Sequence, residues 1–173
     1  LQANELLLKD VAGLVKGGRE DVAEKVRALV DKNRALEREV QQLKGRLASG
    51  GGQDLLDSAI DVAGVKVVVA RLDGTDAKTL REAADNLKAR MGTGVVVLGA
   101  VEQDKVRLVV SVSKDLTKSL KAGDLIGPVA EHVGGRGGGR PDFAQAGGTE
   151  PDKLDAALGR VCDEVAAILS RTA

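Results

Sequence analysis

The first 48 residues carry apolar side chains at a regular spacing on a charged background. From Val22 onward the apolar positions recur at alternating steps of four and three residues, which is the heptad pattern of a coiled coil. Two of the four a positions are valine and most d positions are leucine, which favours a coil of two helices. The single Asn at an a position favours one register between them. The positions of this seam are Val22, Val26, Leu29, Asn33, Leu36, Val40, Leu43 and Leu47.

A shorter amphipathic helix is predicted before the seam, from about Asn4 to Lys16. Two pairings of the long helix remain open. It can pair with the same helix of a second chain, or fold back on the short helix, which is long enough to cover about half of it. A third interpretation is that the two helices form only a rigid spacer.

A run of glycines separates this helical arm from the rest of the chain. Residues 50–52 are all glycine, which predicts a flexible hinge at residues 49–53. The predicted organisation is therefore a two-helix, coiled-coil-like arm at residues 1–48, the hinge, and a globular domain at residues 54–173.

The globular region alternates β-branched runs with helical periodicity, which predicts an α/β domain with a mixed sheet. Residues 65–72 and 95–101 are apolar runs that suit buried strands. Between them Leu80, Ala84 and Leu87 share one helical face, so a parallel pair with a right-handed crossover is expected.

The remaining elements follow from the same periodicities. Residues 105–112 should return as an antiparallel strand after a short polar turn. A helix is predicted at residues 123–133, and a last helix from Pro151. The predicted core face of the last helix is Leu154, Leu158, Val161, Val165 and Ile168.

The segment at residues 134–148 is unusually rich in glycine and contains Phe143, the chain's single aromatic residue. Ordering so many glycines costs conformational entropy, so the alternative is a disordered surface loop. Because two strongly patterned helices flank the segment, we predict a functional loop. In it the backbone N–H groups of residues 137–139 would form an anion nest between Arg136 and Arg140.

Charge is balanced overall but not locally. Lys plus Arg and Asp plus Glu each number 26, whereas residues 105–140 carry a net charge of +4. Such a cluster suits RNA phosphates. With a single aromatic residue, contact is expected with phosphate, ribose and folded shape rather than through stacked bases. The predicted RNA-binding residues are Lys105, Arg107, Lys114, Lys118, Lys121, Arg136, Gly137, Gly138, Gly139, Arg140 and Gln145.

Composition excludes several other functions. One Cys and one His provide neither an intrachain disulfide nor a protein-only zinc site. His132 is interpreted as a helix-terminal cation, Cys162 as a buried thiol, and Asp73 and Asp76 as turn and cap residues. We therefore predict no catalytic residue, no metal site and no cofactor in this chain. No apolar run is long enough for a membrane helix, so we expect a soluble, intracellular piece of a longer protein.

Four stretches together resemble a known family. The run GGRGGGRPDFAQAGGT resembles the signature of the glycine-rich C-terminal domain of alanyl-tRNA synthetases, which is also appended to DHH-type phosphoesterases. Residues 65–101, the strand RLVVSVSKDL and the helix start KAGDLIGPVA agree with that domain in order and spacing. The helical arm is similar to the linker that precedes the domain in these bacterial synthetases.

The resemblance implies a function for the whole piece. It would be the non-catalytic, cytoplasmic tRNA(Ala)-binding and dimerisation region of such an enzyme, a homodimer through the arm. It would bind the tRNA elbow and help to link aminoacylation with editing, while ATP, Mg and Zn act elsewhere in the parent alanine–tRNA ligase. Two alternatives are a substrate-gripping accessory domain of a DHH-type phosphoesterase and a purely structural dimerisation module. Arg140 stands where the phosphoesterases typically have His.

Overall fold

The chain is described by a computed structural model, which covers the backbone of residues 1–172 and the side chains of residues 1–42 and 55–172. It divides into two compact units, Leu1–Leu43 and Lys44–Ala173. Within the described part of the chain, none of the helices combines the length and apolar character needed to cross a membrane.

The first unit is helical, as the periodicity predicts. Helix α1 covers Gln2–Leu14, a single 3₁₀ turn covers Arg19–Asp21, and helix α2 covers Val22–Asp57. The bounds of α2 extend past the triple glycine, so the expectation that the long helix ends before it is not met. The predicted hinge at 49–53 lies outside the residues whose side chains are described, and it stays a prediction.

The heptad seam of α2 is largely open to solvent in the single chain. Val22 is buried, whereas Leu29, Leu36 and Val40 are 53%, 48% and 46% exposed. Leu43 and Leu47 lie outside the described side chains. Among the described side chains, α1 therefore does not cover Leu29, Leu36 or Val40.

The second unit is built on a mixed, six-stranded sheet of order β1-β2-β3-β4-β6-β5. The strands are β1 Ile60–Val62, β2 Val65–Arg71, β3 Val95–Glu102, β4 Lys105–Val112, β5 Arg136–Gly139 and β6 Phe143–Gly148. β2 and β3 are parallel and every other neighbouring pair is antiparallel. This confirms the predicted α/β class and the parallel strand–helix–strand unit.

Helices cover both faces of the sheet. Helix α3, Ala77–Met91, packs on one face, where Leu80 and Leu87 meet Val68 and Leu98. Helices α4 (Ala122–Glu131), α5 (Leu154–Gly159) and α6 (Val161–Thr172) lie on the other face. The predicted helix from Pro151 is instead a 3₁₀ turn followed by α5 and α6, which are separated at Arg160.

The glycine-rich segment differs most from its prediction. Instead of a loop, residues 136–148 form the β5–β6 hairpin, which extends the sheet beyond β4. Glycine lacks the branched side chains typical of strands. The hairpin is held by its ladder with β4 and by packing against α4.

Candidate nucleic-acid interface

The hairpin glycines allow a close approach of backbones rather than an anion nest. A Cβ at Gly135, Gly137 or Gly139 would overlap atoms of β6. None of the glycines at 137–139 has positive φ; in the hairpin region only Gly134 does. A nest needs neighbouring residues in right-handed and left-handed helical conformations, and hence φ angles of opposite sign. The predicted nest is therefore wrong. Residues 137–139 are instead extended backbone that packs closely against β6.

One face of the hairpin carries a group of arginines. Cross-strand partners share a face, and the register pairs Arg107 with Gly147 and Gly147 with Arg136. Gln145 pairs with both Val109 and Gly138, and so belongs to the same face. We call this surface the arginine face; its members are Arg107, Arg136, Arg140, Gln145, Gly138 and Gly147.

Arg140 joins this surface at the end of the hairpin. Its N–H donates to the carbonyl of Phe143 at 2.8 Å, and the N–H of Phe143 donates back at 3.3 Å. The two residues therefore form a bonded pair and share a face. Phe143 packs with the side chains under α3. The arginine face thus lies on the α3 side of the sheet, beside Phe143, which α3 covers. Arg136, Gly138, Arg140 and Gln145 are exposed there.

Two neighbouring clefts follow this surface. A cleft of about 320 Å³ is lined by Ala77 at the start of α3, Arg107, Arg136 and Gln145. A second cleft of about 270 Å³ is lined by Lys105, Arg107 and a group of glycines at the end of β6 and the start of the hairpin. Arg107 and Gly147 line both clefts, so the two clefts are neighbours.

The arginines of this surface differ in their partners. The Nε atom of Arg107 lies 2.8 Å from a carboxylate oxygen of Glu102, and that of Arg140 lies 3.5 Å from Asp142. Within the described ranges, Arg136 has no ion pair. The exposed guanidinium of Arg136, which has glycines as neighbours on this face, is well suited to binding a phosphate, because its planar set of N–H donors matches the phosphate oxygens.

The predicted lysines lie around this surface rather than on it. Lys105 starts β4 and lines the second cleft. Lys114, Lys118 and Lys121 lie in the segment between β4 and α4, and all three are exposed. Lys121 precedes α4, whose first residue donates its N–H to the carbonyl of Pro141 at 2.8 Å, so this segment adjoins the hairpin turn.

Sequence reasoning missed Arg81. Its guanidinium carbon lies over the ring of Phe143, 4.7 Å from the ring centroid, at the edge of the arginine face. Arg81 is on α3, far from Phe143 along the chain, and its charge is balanced by nearby acids in the sequence. No sequence signal identifies it, because only the packing of α3 on β6 brings the two side chains together.

The remaining polar candidates have structural partners. Asp76 caps α3, and its carboxylate accepts the N–H of Thr79 at 2.7 Å. Nε2 of His132 lies 3.5 Å from Nη1 of Arg160. Burial raises the pKa of the half-buried Cys162 thiol, which disfavours a reactive thiolate. Among the described side chains, no three His, Cys, Asp or Glu residues are grouped so as to hold a metal ion.

Comparison with known proteins identifies the fold. The family model described as the DHHA1 domain matches residues 64–167, which contain the arginine face. The chain belongs to the DHHA1 domain family. The crystal structure of the C-Ala domain from Aquifex aeolicus alanyl-tRNA synthetase is similar to this DHHA1 domain, with a TM-score of 0.60 and 29% sequence identity. The similarity covers 63% of this chain and 98% of that one.

The similarity to curated proteins also includes most of the helical arm. An alanine–tRNA ligase of Pseudoalteromonas translucida is 50% identical over 157 residues, and one of Pseudomonas savastanoi is 51% identical over 158 residues. Each similarity covers 91% of this chain but 18% of the relative. The DHHA1 chain thus spans less than a fifth of the length of these ligases.

Proposed function

We propose that the chain is the C-terminal tRNA-binding region of a cytoplasmic alanine–tRNA ligase, with the arginine face as its RNA-binding surface. The observation that carries the proposal is the group of Arg107, Arg136 and Arg140 around Gln145 on one side of the sheet. The relatives that cover most of the chain are named alanine–tRNA ligases, and this supports tRNA(Ala) as the RNA.

The geometry suits a folded sugar-phosphate backbone. Gly138 leaves open space where a side chain would stand, since a Cβ there would meet no atom within 4 Å. A phosphate can therefore approach the strands closely and be bound by the flanking guanidinium groups. Such contacts position an RNA without reading its sequence, and their strength falls as salt rises.

The region would act by positioning. Binding the tRNA at its elbow leaves the acceptor end free to reach the aminoacylation and editing sites of the parent ligase. Holding one tRNA near both sites raises its effective concentration at each. In this proposal the region has no catalytic residue and no cofactor of its own. ATP, Mg and Zn would serve other parts of the ligase.

The exposed seam supports a second role, homodimerisation through the arm. Leu29, Leu36 and Val40 are about half exposed in a single chain, and they repeat with the heptad spacing of a two-stranded coil. Pairing two such seams would remove these apolar side chains from water. Asn33, at an a position, would fix the register of the pair.

A binding assay with tRNA(Ala) tests the RNA-binding proposal. We expect salt-sensitive binding that Arg136→Ala with Arg140→Ala weakens by about tenfold or more, because two phosphate contacts are lost, with a salt slope smaller by about two. Replacing the anticodon stem should change the affinity little.

The matched control removes two cations from the opposite side of the sheet. Lys153→Ala with Arg160→Ala changes the net charge equally and should bind as the wild type does. Equal losses in the two double variants would mean that overall charge, not the arginine face, binds the RNA. Tighter binding of short single-stranded RNA than of tRNA would favour the accessory domain of a phosphoesterase instead.

A further inference from the structure

The Arg81–Phe143 pair places a guanidinium at a fixed position beside the arginine face. Phe143 lies on the same face of β6 as Gln145, two residues along the strand, and opposite Arg140. The guanidinium carbon of Arg81 lies over the Phe143 ring, 4.7 Å from its centroid. Attraction between the cation and the ring holds the side chain at this place.

The two side chains differ sharply in exposure. Phe143 is 8% exposed, so α3 and Arg81 leave little of the ring to solvent. Arg81 itself is exposed, and it has no ion pair among the described residues. One side of the guanidinium thus meets the ring, while the rest of the group is open to water and unneutralised by a carboxylate.

An arginine in this position can do more than bind phosphate. Guanidinium planes stack on nucleobases, as aromatic rings do, and loss of one stacked base costs RNA binding substantially. Restricting the side chain beforehand reduces the entropy lost on binding. The chain's single aromatic residue therefore acts beneath an arginine rather than by contacting RNA itself.

We propose that Arg81, positioned by Phe143, stacks on the flat face of a nucleobase, and that no other base stacks on that face. This inference rests on the proposed RNA-binding function and adds to it a base contact beside the phosphate contacts. The base would be unpaired, or would end a stack, because a base inside a continuous helix has no free face. Phe143 is a positioning residue in this arrangement.

The deciding comparison is between two Arg→Lys variants, tested for tRNA(Ala) binding over a range of salt. Lysine keeps the charge and loses the plane. We expect Arg81→Lys to weaken binding by about tenfold, which corresponds to roughly 1.4 kcal/mol. The salt slope should be unchanged, because no charge is removed. Arg136→Lys is the matched control. It keeps its charge but loses the planar donor fork, so it should weaken binding less than Arg81→Lys does, because a phosphate also accepts a point charge whereas a base face needs the plane.

A second variant tests the role of the ring. Phe143→Leu leaves Arg81 charged but removes the surface beneath it, and it should weaken binding with the salt slope again unchanged. Thermal unfolding of each variant shows whether its fold is intact. Because Phe143 is buried and its loss can unfold the chain, Arg81→Lys remains the variant that decides.

The outcomes separate this inference from the proposal on which it rests. If Arg81→Lys binds as the wild type does while Arg136→Ala with Arg140→Ala weakens binding, the base contact is wrong and the arginine face stands. A smaller salt slope in Arg81→Lys would equally contradict stacking. If the wild type fails to bind tRNA, the proposed function and the base contact are both refuted.

Discussion

At the scale of single residues, a cluster of charged groups lies where β2 and β3 end. Nε of Arg71 donates to both carboxylate oxygens of Asp73 at 2.9 Å, and Nη1 of Arg71 lies 2.9 Å from Asp155 on α5. Asp73 also accepts the N–H of Val101 at 3.0 Å. This cluster joins the ends of β2 and β3 to α5, on which the sheet packs.

Asp73→Asn should lower stability in a pH-dependent way. The hydrogen bond from Arg71 lowers the pKa of the Asp73 carboxyl below its ordinary value. The charged form therefore stabilises the fold above the pKa of the unfolded chain, about 4, and this contribution is lost as pH falls through the folded value. Because solvent screens this half-exposed carboxylate, we expect a loss of only about 0.5–1 kcal/mol at pH 7.

Chemical denaturation at pH 7 and at a pH near 3 checks this expectation. The difference between wild type and variant should shrink at the lower pH, because Asp73 is then protonated in the unfolded chain and the advantage of its charged form in the fold is being lost. Asp152→Asn, at an exposed carboxylate, serves as the control and should change stability little at either pH. A wild-type advantage that is equal at both values would contradict the role given to the charge.

At the scale of elements, predictability follows side-chain pattern. Strands β2, β3 and β4 were predictable because buried strands need continuous β-branched runs, and residues 65–72, 95–101 and 105–112 have them. β5 and β6 have almost none, and neighbouring elements impose their extended shape. Charge clustering predicted Arg107, Arg136 and Arg140 as site residues. Arg81 could not be predicted, since its place depends on how α3 packs.

The long helix α2 carries an apolar seam whose described positions Leu29, Leu36 and Val40 stay about half exposed in the single chain. We expect Leu29→Lys with Leu36→Lys to lower the mass measured by sedimentation of the intact chain, because buried lysines at d positions would separate paired helices. Arg27→Lys with Arg34→Lys, outside the seam, is the control. A wild-type monomer, or a variant of unchanged mass, would refute pairing through this seam.

At the scale of the whole chain, RNA binding and helix pairing are assigned to different units. The DHHA1 domain carries the arginine face, and the arm carries the seam. The glycine run separates the two in sequence, although α2 extends through it. The chain is less than a fifth of the length of its ligase relatives. Under the proposed function, it would contribute positioning of the tRNA.

The central claim is that the arginine face contacts RNA, and ultraviolet crosslinking to tRNA(Ala) with mass spectrometry of the peptides tests it most directly. We predict crosslinks in the β5–β6 hairpin, in β4 near Arg107 and in α3 at Arg81. Competition with unlabelled tRNA should remove them. Crosslinks confined to α4, α5, α6 or the arm, with the hairpin unmodified, would contradict the account.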